Sequence, residues 1–268
     1  MTCLLHLSDP HFGAANDAIA CAFLDRAAEL DPDVTVLSGD LTMRARRQEL
    51  EDASSFVEQL PYPCLVIPGN HDIPAFNQLF DRFFRPFRRY RQTFGSDIEP
   101  TLRTGGVEIV GLNSSRGIGP QWDWSKGMLS QRQLDDAASR FAGSSPGLRV
   151  LTLHHPLLAP ADHRRDVVRP LPPLLSLLAG SRVDLVLCGH FHQSRIGTAG
   201  DEGKWTTIIS QAPTVCSTRL QGEPPGFHTI HHDGDYLRLV LHRFDQTCFV
   251  ECESVEFGRA NTGWRPLL

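Results

Sequence analysis

The chain has 268 residues, 26 Lys plus Arg against 31 Asp plus Glu, a formal net charge of -5 and 41% hydrophobic residues. That apolar content can bury a sizeable core, which excludes a disordered or collagen-like chain, and the mild acidity argues against a general nucleic-acid binder, whose footprint is a basic domain. Apolar stretches such as Leu171 to Ala179 are interrupted by Pro172 and Pro173 and fall short of the roughly 20 residues of a membrane span.

The first run, Cys3 to Ser8, has no basic stretch before it and no cleavage site after it, so it reads as a strand rather than a signal peptide. It ends in Asp9 and His11. Ala18 to Leu30 then place Ile19, Ala22, Phe23, Ala27 and Leu30 near helical spacing, as a crossover helix would. Val34 to Ser38 form a second strand ending in Gly39 and Asp40, Glu49 to Leu60 a weaker helix, and Cys64 to Ile67 a third strand ending in Gly69, Asn70 and His71.

Residues 73 to 126 are expected as a helical cap beside the site. Phe80, Phe83, Phe84, Phe87, Tyr90 and Phe94 alternate there with Arg82, Arg85, Arg88, Arg89 and Arg91, as in an amphipathic helix with a solvated arginine face. The same arginines offer a contact for a bulky anionic substrate or a peripheral contact for an anionic membrane surface. Farther on come a helix at Gln131 to Phe141, a strand at Arg149 to Leu153 ending in His154 and His155, and a short helix at Leu174 to Leu178. Val183 to Cys188 form a strand ending in Gly189, His190 and His192.

Such continuous apolar runs predict strands covered on both faces, and their alternation with helices predicts an α/β fold. Beyond residue 193, Thr206 to Ser210, Phe227 to His231 and Tyr236 to Phe244 read as antiparallel strands around turns such as Asp233-Gly234, and Phe257 to Leu268 as a tail. The whole, 1–268, is expected as one domain. The seven cysteines are odd in number and form no CxxC pair, so they read as reduced cytoplasmic thiols, mostly filling the core.

Five strands thus end in polar residues able to bind metal, and ligands at strand carboxyl ends converge on one edge of a sheet. Asp9 and His11, two apart, share a face on an extended backbone. Asp40 has two oxygens and the charge to bridge two cations. Asn70, His154, His190 and His192 complete a mixed nitrogen and oxygen set suited to Mn, Fe or Zn. Each element alone has a bland reading, as a turn or as a histidine satisfying a backbone group; their order along the chain is what carries the inference.

Through Asp9-x-His11, Gly39-Asp40, Gly69-Asn70-His71-Asp72, His154 and Gly189-His190-x-His192, residues 3 to 195 resemble the calcineurin-like metallophosphoesterase superfamily. The resemblance implies a four-layer αββα sandwich of two mixed β-sheets flanked by helices. It also implies two metal ions, divalent or of mixed valence. One would take Asp9, His11, Asp40 and His192; the other would take Asp40, Asn70, His154 and His190. His154 is preferred to His155 because the family's ligand stands first in His-x-Pro; His155 would then line the pocket. Two such cations, about 3.5 to 4 Å apart, activate a water for in-line attack on phosphorus. His71, next to a ligand, is placed to stabilise transition-state charge or protonate the leaving oxygen, oriented by Asp72; a turn cap is an equal reading of Asp72.

Gly39-Asp40-Leu41-Thr42, Gly69 to Pro74 and the cap residues Phe87, Tyr90 and Gly95 look like the class III cyclic nucleotide phosphodiesterase branch. That implies a small phosphodiester substrate, foremost a 3',5'-cyclic nucleotide. Alternatives within the superfamily are the pyrophosphate of a UDP-linked lipid A precursor, a glycerophosphodiester or nucleic acid. A non-catalytic scaffold is the rival of another class, disfavoured because no ligand is missing.

Arg44, Asn113, Arg116 and Arg219 lie after or near strand ends and are candidates for phosphate or nucleotide contact, each against a bland surface reading. Trp122 and Trp124 read as packing, His6 as a satisfied core histidine, and His228, His231 and His232 lack ligand spacing. A cytoplasmic location is expected. A homodimer is open, since related phosphodiesterases are often dimers.

Overall fold

The structure, a computed structural model, describes residues 1–75, 78–117, 125–143, 147–158, 167–200 and 203–267. β1 (Thr2–Leu7), β2 (Val34–Leu37) and β3 (Cys64–Val66) are parallel neighbours. α1 (Asp17–Leu30) crosses from β1 to β2, its start capped by the Asn16 side chain, which accepts the Ile19 N–H at 3.3 Å. α2 (Arg47–Val57) crosses from β2 to β3.

Four later strands extend this sheet: β10 (Gly226–Asp233), β11 (Tyr236–Phe244), β12 (Phe249–Ala260) and β13 (Gly263–Pro266), in the order β13-β12-β11-β10-β1-β2-β3. The second sheet is built of β4 (Thr101–Thr104), β5 (Val107–Gly111), β6 (Leu148–Thr152), β7 (Leu185–Cys188), β8 (Arg195–Ala199) and β9 (Thr207–Gln211), ordered β4-β5-β6-β7-β9-β8. Both sheets mix parallel and antiparallel pairs.

Strand alternation sorts the core into three layers. Leu5, Leu7 and Leu37 pack under α1 and α2 with Phe23 and Phe56; Leu4, Val34 and Val36 meet Ile109, Val150 and Ile208 between the sheets. Val110, Leu151 and Val186 face α5 (Gln131–Ala142) and α6 (Leu171–Gly180). All four residues of β2 are buried, because both faces are covered, and that explains the continuous apolar runs. The architecture is the four-layer αββα sandwich of two mixed sheets.

Several expectations are corrected. The span 73–126 begins with two short helices, α3 (Leu79–Phe84) and α4 (Arg88–Phe94), but continues as β4 and β5, so only the first part of the expected cap is helical. The amphipathic reading of 82–91 also fails in phase. The helix breaks around Pro86, so Arg82 is buried, donating to the Pro74 carbonyl at 2.7 Å, while Phe80 and Phe84 are exposed. The segment from 257 is no tail: Phe257 and Trp264 are buried and belong to β12 and β13. Only Cys188 and Cys216 fill the core; Cys21, Cys248 and Cys252 are exposed, and all seven are free thiols. Among the described residues no helix is long and apolar enough to cross a membrane. Trp122 and Trp124 lie outside the described residues.

Candidate metal centre

The carboxyl ends of β1, β2 and β3 in one sheet and of β6 and β7 in the other meet at one edge of the sandwich, and all seven expected ligands follow these strands. The ligand atoms of Asp9, His11 and His192 lie within 4.8 Å of one another, and so do those of Asp40, His154 and His190. Asp40 joins the two groups: its Oδ2 is 3.6 Å from His11 Nε2 and 3.3 Å from His154 Nε2. Asn70 Oδ1 completes the second group, 3.1 Å from His190 Nδ1.

Each carboxylate is held by one oxygen and offers the other. Asp9 Oδ2 accepts the His190 N–H and Asp40 Oδ1 the His71 N–H. Asp9 Oδ1, fully buried, has no hydrogen-bond partner and faces His192 Nε2 at 3.3 Å and His11 Nε2 at 3.6 Å. An orphaned buried carboxylate oxygen is costly unless a cation completes it. The imidazoles are oriented in the same way: Nδ1 of His11, His154 and His192 donates to the carbonyls of Thr42, Ser38 and Arg219, at 3.2, 2.9 and 2.6 Å, leaving Nε2 as the atom that could ligate a metal. These donors fit a pair of first-row cations.

The backbone shows how the convergence is achieved. Asp9, His11, Asp40, His190 and His192 all have positive φ, between 50° and 78°. Such conformations cost about 1–3 kcal/mol each for non-glycine residues and cluster where function demands them. Asp9 and His11 therefore do not share a face of an extended strand, as their spacing suggests; a left-handed turn brings them together. Gly69 and Gly189 are needed for space, since a Cβ would overlap Asp40 Oδ1 in one case and Ser8 Oγ and Asp9 Oδ2 in the other.

The electrostatics follow from burial and pairing. Burial raises the Asp9 and Asp40 carboxyls, but the surrounding histidines more than offset it and hold both well below the usual range. Burial lowers His154, yet the Asp40 charge raises it to about 9, while burial and His154 push His190 down to about 3.

Beside the centre, His71 Nδ1 donates to the Met43 carbonyl at 2.8 Å, and Arg219 Nη1 approaches His71 Nε2 at 3.3 Å. Asp72 takes another part than orienting the His71 ring. It accepts the Leu41 and Gly69 N–H groups on Oδ2 and the Thr42 N–H and hydroxyl on Oδ1, tying the Asp40 loop to the Asn70 loop. His155 stands behind His190, ring centroids 4.6 Å apart, with both nitrogens engaged by Ser114 Oγ and the Ser125 carbonyl.

Of the other substrate candidates, Arg44 is exposed, adjacent in sequence to Met43; Asn113 Oδ1 accepts the Ser115 N–H; and Arg116 Nε reaches the Met128 carbonyl at 3.4 Å. Arg219 is the one whose guanidinium is placed against His71. Sequence reasoning missed the carbonyls of Ser38, Thr42, Met43 and Arg219, which carry no signature in residue type.

Comparison with known proteins places this geometry. The calcineurin-like phosphoesterase family model matches residues 4–194. A probable cyclic nucleotide phosphodiesterase of Synechococcus sp. is 29% identical over 259 residues, covering 91% of this chain and 88% of that one. The glycerophosphodiester phosphodiesterase GpdQ of Enterobacter lignolyticus is 24% identical, covering 73% of this chain and 75% of that protein. In structure, the purple acid phosphatase PPD1 of yellow lupin superposes with a TM-score of 0.66 at 11% identity, over 97% of this chain and 54% of that chain, a likeness of fold. With this match spanning most of the chain and the two ligand groups joined at Asp40, the chain belongs to the calcineurin-like phosphoesterase family, and its chemistry is the hydrolysis of phosphoric esters.

Proposed function

We propose that the protein is a dimetal phosphodiesterase that hydrolyses a small phosphodiester, foremost a 3',5'-cyclic nucleotide. The observation that supports it most is Asp40 Oδ2, set between the two ligand groups at 3.6 Å from His11 Nε2 and 3.3 Å from His154 Nε2. Asp9, His11, Asp40 and His192 would hold one ion, and Asp40, Asn70, His154 and His190 the other; Mn, Fe and Zn all suit these donors. When bound, such a pair supplies an activated water and neutralises phosphate charge.

The remaining work falls to the chain's own groups. Arg219, whose Nη1 donates toward His71 Nε2 at 3.3 Å, can take a phosphate oxygen in place of that contact, and an arginine fork suits this task. His71, its Nδ1–H fixed on the Met43 carbonyl, then takes a proton from solvent on Nε2, freed of Arg219, and passes it to the leaving oxygen. Asp72 is a positioning residue that holds Asp40 and His71 together, and His155 backs His190. Arg44, Asn113 and Arg116 supply the outer contacts of the substrate. The relatives named for cyclic nucleotides and for glycerophosphodiesters support the substrate class.

A second reading, a lipid-linked pyrophosphate, draws on the exposed Phe80 and Phe84 next to exposed Arg85 and Arg88, a surface suited to an anionic membrane. The test is to incubate the Mn-loaded chain with cyclic nucleotides, glycerophosphodiesters, a UDP-linked lipid and single-stranded DNA, and read products by mass. Metal-dependent conversion of a cyclic nucleotide to the monophosphate is expected. Asp40→Asn should weaken both metal steps and abolish turnover, and His71→Ala should lower kcat by about 10²-fold or more at unchanged metal content. Selective cleavage of the lipid would replace the cyclic nucleotide, and turnover of none of these by a two-metal protein would overturn the reading.

A further inference from the structure

Between the sheets, the facing side chains of β1, β2, β9 and β10 are apolar for most of their length: Leu4, Val34, Val36, Ile208 and Ile230. Toward the ligand-bearing end the same faces carry His6, Ser38, Ser210 and His228, each fully buried. These four form one hydrogen-bonded chain with Ser194. Ser194 Oγ lies 2.9 Å from His228 Nε2, His228 Nδ1 2.8 Å from Ser210 Oγ, Ser210 Oγ 2.9 Å from His6 Nδ1, and His6 Nε2 3.0 Å from Ser38 Oγ.

One choice of tautomers satisfies every link. The Ser194 hydroxyl donates to His228, His228 Nδ1–H to Ser210, the Ser210 hydroxyl to His6, His6 Nε2–H to Ser38, and the Ser38 hydroxyl ends on the Leu7 carbonyl at 3.4 Å. That chain needs both imidazoles neutral, and burial lowers both. Polar groups in this position cost more than apolar filler of the same size would, so a purely packing role is a poor explanation of them.

The chain terminates on Ser38, whose carbonyl accepts His154 Nδ1–H at 2.9 Å and whose next two residues are Gly39 and Asp40. Asp9, His11, Asp40 and Asn70 follow strands of one sheet; His154, His190 and His192 follow strands of the other. Asp40 can face His11 and His154 together only when the two sheets are held in one placement near the site.

We propose that Ser194, His228, Ser210, His6 and Ser38 form a polar pin between the sheets that sets His154 against Asp40 and so fixes the affinity of the second ligand group for its metal. His6 and Ser38 are then positioning residues. The proposal rests on the dinuclear reading of the site but not on which ester is cleaved.

The test is a Mn²⁺ titration of the full chain read by electron paramagnetic resonance, which reports free Mn²⁺ and the spin-coupled pair without any substrate. His6→Gln keeps a donor near the Nε2 position, toward Ser38; His6→Asn keeps an acceptor near Nδ1, toward Ser210; His6→Leu keeps neither. The first step is the filling of the Asp9, His11 and His192 group and the second that of the Asp40, Asn70, His154 and His190 group, whichever fills earlier. His6→Leu and His6→Asn are expected to weaken the second step about 10- to 100-fold, the usual effect of losing an outer-sphere partner, with the first unchanged and the second restored in His6→Gln.

The control is His242, a fully buried histidine 3.0 Å from Thr229 Oγ1 and stacked on Phe227, on the helix-facing side of the same sheet. His242→Leu should leave both steps in place. If His6→Leu weakens the second step no more than His242→Leu does, or if the Gln and Asn variants behave alike at matched unfolding midpoints, the pin is filler and the proposal falls. Should the leucine variant not fold, the Gln and Asn pair carries the test. A wild-type chain that binds two coupled Mn²⁺ ions yet cleaves no ester overturns the proposed function and leaves the pin testable; one that binds a single ion overturns both.

Discussion

His154 shows how a single residue is tuned by its neighbours. Its Nδ1–H is held by the Ser38 carbonyl, so the extra proton sits on Nε2, facing Asp40 Oδ2 at 3.3 Å. Burial opposes that charge, but Asp40 raises the imidazole to about 9. Below about pH 9 the metal-free chain therefore carries a proton on the very atom a metal needs. Metal uptake must displace it, so affinity should climb with pH until that range is passed. Mn²⁺ titration in weak buffer near pH 7.5 is expected to release about one proton from this site, and a pH-independent affinity with no release would contradict the Asp40–His154 pairing. Sequence spacing identified the residue; which nitrogen binds, and with what proton, depends on a carbonyl 116 residues away.

At the scale of elements, the site is made by loops that leave the strands in left-handed turns and pass over one another. The β7 loop crosses the β1 loop at Gly189, where the next N–H, that of His190, reaches Asp9 Oδ2 at 2.9 Å. A methyl at Gly189 would occupy the space of Ser8 Oγ and Asp9 Oδ2. Gly189→Ala is expected to cost about 1–3 kcal/mol by overpacking and to weaken the first Mn²⁺ step; chemical denaturation with the same titration checks both. An unchanged first step would mean that the loop has room to shift. The helices teach a related lesson. α1 and α5 fall within a residue or so of their periodic pattern because their apolar faces meet a sheet. The arginine-rich segment has the pattern but not the length, and once the helix breaks around Pro86 its face turns, burying Arg82 and exposing Phe84.

Across the whole molecule the two sheets are joined at both ends. The polar chain from Ser194 to Ser38 lies near the ligand loops. Away from them, Trp264 of β13 is fully buried between the sheets and its Nε1–H donates to Asp184 Oδ1 at 2.9 Å, with the Arg259 guanidinium 4.8 Å from the ring centroid. Asp184 precedes β7, and the Trp264 N–H also bonds the Thr206 carbonyl before β9, so the last strand of one sheet is fastened to the other. Trp264→Ala should cost about 3–5 kcal/mol of stability. Denaturant unfolding measures it; a loss under about 1 kcal/mol would show that the end of the chain is dispensable to the fold.

The sequence by itself determined the five ligand-bearing strands, the crossover helices between them and the identity of all seven candidate ligands. Buried parallel strands must be apolar on both faces, and metal-binding side chains are few and end those runs abruptly. It misjudged β4, β12 and β13, whose shortness or exposure leaves little periodic signal, as at the exposed Glu251, Glu253 and Glu256, and it passed over the buried β5 within the expected cap. What only the tertiary structure decided is which groups hold the candidate ligands and His71: the carbonyls of Ser38, Thr42 and Arg219, that of Met43 for His71, the Asp72 tie between two loops, and the pairing of His6 with Ser210 and His228 across two sheets. A backbone carbonyl is the same in every residue, and a histidine 222 positions from its partner in the chain gives no sign of it until the strands are placed side by side.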